Sequence, residues 1–166
     1  VAGQTVRVIG TIKEHYGRTQ LTTTTDFLDC GAGNVPEALV ISLPTTAADS
    51  FEATEGMLVQ SQVALNVTNT LELAKYGQFV VSNGRLFKPT NVFAPNSAAA
   101  LDLASENARN QLIIDDAVNG SYPATVPFPT GGLSHNNTLR LGDAVVGLSG
   151  VMDYSFGAYR VLPNAV

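Results

Sequence analysis

Leu141-Gly-Asp-Ala-Val-Val-Gly-Leu-Ser-Gly-Val-Met-Asp-Tyr-Ser-Phe-Gly-Ala-Tyr-Arg-Val161 reads as a strand pair joined at an aromatic–glycine turn, Phe156-Gly157, with Gly150 in the middle of its first strand. A mid-strand glycine where a sheet must coil sharply is what a small closed barrel needs, so Gly150 is expected at a bend. A degenerate copy opens the chain as Ala2-Gly-Gln-Thr-Val-Arg-Val-Ile-Gly-Thr-Ile-Lys-Glu-His-Tyr-Gly-Arg-Thr-Gln-Leu21. Each copy begins at a glycine (Gly3; Gly142), passes a second (Gly10; Gly150) and turns at Tyr16-Gly17 or Phe156-Gly157 with equal spacing. The later copy carries one extra residue before Gly150, and Gly147 reads there as a β-bulge. The two copies are therefore expected to lie side by side in one coiled sheet, residues 6–14 beside 145–154. Two ordinary hairpins that agree by chance are the alternative.

Working outward, residues 6–12 alternate apolar with polar and residues 19–25 are rich in Thr, a hairpin with one buried and one wet face. Residues 29–36 read as a loop, and Leu39, Ile41 and Leu43 as a short strand ended by Pro44. Thr46 is placed to cap a short helix ending at Gly56, anchored by Phe51. Met57, Val59, Val63, Leu65 and Val67 share a face of one long strand, with Ser61 its only polar break. Tyr76-Gly77 is a third aromatic–glycine turn. Asn96 or Ser97 caps a helix to about residue 110 with a Leu101, Ala104 and Ala108 stripe and a Glu106–Arg109 surface pair. Residues 112–114 form a short strand, and 119–137 a long irregular excursion. The pattern predicts a mainly β fold: a single OB-like Greek-key barrel over 1–166, with one or two helices and a long insertion at about 85–138. A β-sandwich is the runner-up.

The 166 residues carry a net charge of −5 and only three lysines, Lys13, Lys75 and Lys88, with Thr, Asn, Ser and Gly filling polar positions. That habit is common in secreted β-proteins, and the charge argues against a generic polyanion binder. Cys30 stands alone, so no internal disulfide is possible, and a buried inert thiol is expected. No apolar run is long enough for a membrane helix. Val1 reads as already inside a strand, so a fragment of a longer secreted protein is expected.

No catalytic constellation, Gly-rich phosphate loop or nucleophile elbow is present, and no cofactor is implied. His15 and His135 lie in separate turns without metal-ligand spacing. Asp115-Asp116 is the only adjacent carboxylate pair and a weak cation candidate, since a Ca²⁺ site needs further oxygen ligands. Three matches to the N-glycosylation pattern, at Asn66, Asn119 and Asn136, are expected by chance in so Asn- and Thr-rich a chain. What remains is a set of aromatics and cations at the turns: Tyr16, Arg18, Tyr76, Arg85, Lys88, Phe156, Tyr159 and Arg160. Aromatic platforms with a few cations are how OB-folds hold single strands. The competing reading makes the tyrosines barrel plugs and the arginines solvated.

Val6-Arg-Val-Ile-Gly-Thr-Ile-Lys-Glu-His-Tyr-Gly-Arg-Thr-Gln-Leu-Thr22, Gly84-Arg-Leu-Phe-Lys-Pro-Thr90, Leu112-Ile-Ile-Asp-Asp116 and Gly150-Val-Met-Asp-Tyr-Ser-Phe-Gly-Ala-Tyr-Arg160 resemble the non-catalytic, OB-fold-like region of secreted bacterial extracellular endonucleases of the NucH/ExeM type. Glu55-Gly-Met-Leu-Val59, Tyr76-Gly77 and Leu139-Arg-Leu-Gly-Asp143 extend the resemblance over nearly the whole chain. It implies a non-catalytic accessory module in front of a metal-dependent nuclease domain of the same polypeptide. Such a module positions that domain or weakly contacts single-stranded nucleic acid. The catalytic domain's acidic and histidine motifs are missing here, so the family's activity does not carry over. Family members also continue upstream with further strands, which would leave an open barrel edge near residues 6–12 for another chain or a remote segment to cover. The alternative function is an extracellular structural subunit that associates with neighbouring copies of itself through sheet edges.

Overall fold

Residues 3–164 are described by the computed structural model. Their strands are β1 (Gln4–His15), β2 (Arg18–Ala32), β3 (Leu39–Ile41), β4 (Leu58–Ser61), β5 (Leu65–Asn69), β6 (Gln78–Ser82), β7 (Leu112–Asp115), β8 (Ala144–Val145), β9 (Ser149–Ser155) and β10 (Ala158–Pro163). Two helices join them, the single turn α1 (Leu73–Tyr76) and α2 (Ala98–Arg109). Val1, expected within a strand, lies outside the described residues.

The apolar alternation read along 57–67 belongs to one strand position, bent in the middle. β4 pairs antiparallel with β9, Leu58 opposite Val151, and β5 pairs antiparallel with β8, Leu65 opposite Val145. β4 runs on into β5 and β8 into β9, so these are two halves of a single long pair. At the bend the Ser61 N–H donates to the Leu148 carbonyl at 2.9 Å, and the Ser61 hydroxyl donates to the Val63 carbonyl at 2.9 Å. The one polar residue of the stretch satisfies backbone groups that a bent strand would otherwise leave unpaired.

From β5 the sheet continues antiparallel to β6 and β7; β7 runs parallel to β10, and β10 returns antiparallel to β9. The strand positions thus follow the order β4/β5, β6, β7, β10, β8/β9 and back to β4/β5. This is a small Greek-key barrel of the OB type. Val59, Leu65, Val81, Leu112, Ile114, Met152 and Val161 fill it, each at most 2 % exposed. Val126 and Phe128, from the irregular excursion, return to the core, with the Phe128 ring edge-on to Phe79 at 5.1 Å. Each such buried side chain contributes about 1.5–3 kcal/mol. The stretch expected as an insertion contains β7, a central strand; residues 112–115 are therefore part of the barrel.

The opening hairpin is not in the barrel. β1 and β2 form a separate two-stranded ribbon, and 6–14 does not neighbour 145–154. Gly10 still marks a bend: between the pairs Ile9–Asp26 and Thr11–Thr22, three residues of β2 oppose it alone. Its resemblance to Gly150 is local, because both glycines admit a partner backbone. A Cβ at Gly10 would lie 2.9 Å from the Thr22 carbonyl oxygen, and one at Gly150 would overlap that of Leu162 and lie 2.7 Å from Val161 Cγ1. Nearly every ribbon residue is exposed, against the one buried face expected, and β2 runs through the expected loop to Ala32. Cys30, expected buried, is exposed on it.

Two smaller expectations change. Residues 46–56 hold only a helical turn, Glu52–Thr54, because Ser50 and Thr45 hydrogen-bond the backbone at Ala47 and draw residues 45–50 into turns. Ser97 caps α2 as expected, its hydroxyl accepting from the Ala100 N–H at 3.2 Å, but the helix buries Ala100 rather than Leu101, which is 61 % exposed. Arg109 donates to the Thr45 and Thr46 carbonyls, and Glu106 is not its partner.

A methyl group separates the two glycines experimentally. Gly150→Ala forces backbone apart inside the barrel and should cost at least about 1–3 kcal/mol, lowering the melting temperature by several degrees. Gly10→Ala should leave the melting of the barrel unchanged, and equal losses from both would contradict the separation of ribbon and barrel.

Candidate functional site

Gln78, Asp115, Arg160 and Asp153 alternate with the core residues Phe79, Ile114, Val161 and Met152, so they stand in a row on the outer face of β6, β7, β10 and β9. Arg160 holds the row together. Its Nη1 donates to Asp115 Oδ2 at 2.7 Å and to Gln78 Oε1 at 2.9 Å, and its Nη2 donates to the Ser155 carbonyl at 2.6 Å. The residue is only 5 % exposed, and its Nε–H has no acceptor. A guanidinium this buried requires its carboxylate partner, because an unpaired charge would be strongly destabilising.

Two turns rise at the ends of this row. α1 is stopped by Gly77 in the left-handed conformation (φ 66°), which sets the Tyr76 ring at the start of β6. A Cβ at Gly77 would also overlap the Asp116 carboxylate, so glycine is required for space as well as for φ. Between β9 and β10 the Phe156-Gly157 turn presents a Phe156 ring that is 88 % exposed and stands 5.5 Å from the Arg160 guanidinium. Tyr76, Phe156, Gln78, Asp115, Arg160 and residues 118–121 enclose a cleft of about 440 Å³. Beside it the Tyr122 N–H donates to the Lys75 carbonyl at 2.6 Å, and the Lys75 ammonium lies 4.6 Å from the Tyr76 ring centre. Hydrogen bonding to Tyr76 holds the Lys75 pKa above its ordinary value, so the side chain is charged at neutral pH. Tyr76 and Phe156 thus line the cleft over the buried Arg160 guanidinium, with Lys75 and Tyr122 beside it.

The fold distributes the remaining sequence candidates elsewhere. Arg18, at the ribbon tip, forms an ion pair with Asp153 and joins the end of the row. Neighbouring Tyr16 is 91 % exposed, and Gly17 lies so close to Tyr154 that a Cβ would come within 2.7 Å of its ring. Tyr159 is engaged: its hydroxyl donates to Glu52 and its ring packs on Phe51 and Tyr154 at 6.0 and 4.8 Å. Burial, and then the bond to Glu52, push its pKa far up. Arg85 stacks on Phe87 at 5.1 Å and Lys88 is exposed, both beyond the opposite end of β6 from the cleft. Lys75 and Tyr122 were not singled out from the sequence. Lys75 directly precedes the Tyr76-Gly77 turn, a signal that could have found it, whereas Tyr122 sits in the excursion with no local cue.

Asp115 and Asp116 are occupied by the turn that follows them. Asp115 Oδ1 accepts from the Ala117 N–H at 2.9 Å while its Oδ2 binds Arg160, and Asp116 Oδ1 accepts from the Val118 N–H at 2.9 Å. These bonds direct residues 117–121 over the cleft. Among the described residues no three His, Cys, Asp or Glu side chains gather as a metal cage would require.

Removing either partner of the buried pair, by Arg160→Ala or Asp115→Ala, should cost about 3–5 kcal/mol. Arg18→Ala, at a pair whose arginine is 46 % exposed, should cost less than about 1 kcal/mol. Denaturant titration ranks the three, and equal effects would show that the row has no clamp. Burial raises the Asp116 pKa, outweighing the Val118 N–H that lowers it. The folded state therefore holds this proton more tightly than the unfolded chain. The stabilisation is complete below the ordinary carboxyl pKa of about 4 and is lost as the pH rises through the raised value. Asp116→Asn should accordingly gain stability relative to wild type as the pH moves from acid to neutral; a pH-independent difference would contradict the assignment.

Residues 8–166 match a family model described as Domain of unknown function (DUF8508). No curated protein and no solved structure matches the chain. The match spans the barrel, the cleft and all but the start of the ribbon, and the chain belongs to the DUF8508 family.

Proposed function

We propose that this chain is a non-catalytic accessory module of a secreted nuclease, and that it contacts single-stranded nucleic acid weakly at the cleft between Tyr76 and Phe156. One observation carries the reading: aromatic turns far apart in sequence converge over the outer face of β6 and β7, bounded by the links that follow β5 and β9. Barrels of this type bind oligonucleotides or oligosaccharides at that face and those loops. This is support from the fold, and the local chemistry adds to it. Phe156 and Tyr122 are 88 % and 72 % exposed, leaving faces on which bases can stack. The Lys75 ammonium, exposed beside the Tyr76 ring, supplies one positive charge for a phosphate oxygen.

The same geometry bounds the affinity. Arg18 and Arg160 are each neutralised by a carboxylate, which leaves little charge to neutralise phosphates. Stacking contributes about 1–3 kcal/mol per base, so two stacked bases with few charges give micromolar binding or weaker. A shallow salt dependence follows from the few phosphates engaged. The sparse lysines and the resemblance to secreted nucleases support an extracellular setting, with the nuclease domain of the same polypeptide as partner.

Fluorescence anisotropy with oligothymidylate and with duplex DNA tests the proposal. Single strands should bind preferentially, and Phe156→Ala or Tyr122→Ala, both at exposed positions, should weaken binding about fivefold or more without altering stability. No binding at low salt, or binding indifferent to both substitutions, would overturn it.

A further inference from the structure

Independently of the cleft, we infer that the β1–β2 ribbon is a dimerisation arm whose apolar face packs on the same face of a second copy of this chain. Val6, Val8 and Ile12 alternate onto one face of β1, and Phe27 and Leu21, the cross-strand partners of Val8 and Ile12, share it. Ile12 is 75 % and Phe27 67 % exposed. Between Asp29 at one end and Glu14 at the other this face carries no charge. A two-stranded ribbon with both faces in water is marginally stable at best, and contiguous exposed apolar patches of this kind mark interaction sites.

Area and charge identify the occupant. The chain exposes 10589 Å², whereas a compact monomer of its mass exposes about 7,900 Å². The surplus, roughly 2,700 Å² per chain, is ample for a specific interface, which buries about 1,200–2,000 Å² in total. The ribbon itself is balanced, with Arg7, Lys13 and Arg18 against Glu14, Asp26 and Asp29, so the net charge of −5 resides on the rest of the chain. An oppositely charged partner would be drawn to the barrel and not to the ribbon. Two copies meeting through neutral ribbons that project from their acidic barrels avoid like-charge repulsion, and a two-fold axis buries the same residues on each.

Sedimentation equilibrium of the chain should show a dimer that dissociates on dilution. Ile12→Asp with Phe27→Asp should abolish it while the barrel's melting temperature stays unchanged. Cys30, the only cysteine and exposed, provides a second measurement that needs no interface substitution. A spin label there should give one well-defined inter-label distance in the undiluted protein, lost on dilution with unlabelled chain. A monomer at concentrations well above micromolar would overturn the inference and assign the face to another partner. A dimer that survives both substitutions would overturn it by placing the interface elsewhere.

Discussion

The closure of the barrel rests on one bent strand pair. β4 with β5, and β8 with β9, have to change direction together, and they do so where Ser61 donates to the Leu148 carbonyl. Gly150 allows β10 to approach where a side chain would collide with Leu162. With that pair in place, β6, β7 and β10 take the only positions left, and the parallel contact of β7 with β10 follows. The outer row of Gln78, Asp115, Arg160 and Asp153 is then a consequence of register.

That row sets the character of the cleft. Arg160 is bound to three neighbours before any ligand arrives, so it rigidifies the floor instead of attracting polyanions. The rings of Tyr76 and Phe156 line the cleft above it, on turns whose geometry is fixed by Gly77 and Gly157, and the Asp115-Asp116 bonds lead residues 117–121 along its rim. In the proposed function, binding at this cleft rests on stacking more than on neutralising phosphates, which is why a short unpaired strand is the ligand proposed over a duplex.

Much of this was legible in the sequence because it depends on local chemistry. Aromatic–glycine pairs at 76–77 and 156–157 are turns, Ser97 is a cap, and Gly10 marks a bend. Sheet membership was not legible. Val6, Val8 and Ile12 alternate as well for a free ribbon as for a barrel strand, since a period of two specifies a face and not what covers it. Along 57–67 only Val59, Leu65 and Val67 are buried, whereas Met57 and Val63 are exposed, because the single strand expected there divides into β4 and β5 at a bend that Ser61 does not announce. Phe128 fills the core from within a proline-rich excursion that has no periodicity to read. Arg160 and Asp115 are far apart in the chain, and only the parallel pairing of their strands brings them together.

The most direct test of this account is an amide chemical-shift titration of the chain with a short oligothymidylate. Shifts should concentrate at Tyr76, Gln78, Asp115, residues 118–122 and Phe156, with the β1–β2 ribbon beyond its tip and the Arg85–Lys88 loop unmoved. Shifts centred on the ribbon or on Arg85 and Lys88, with the cleft silent, would contradict it.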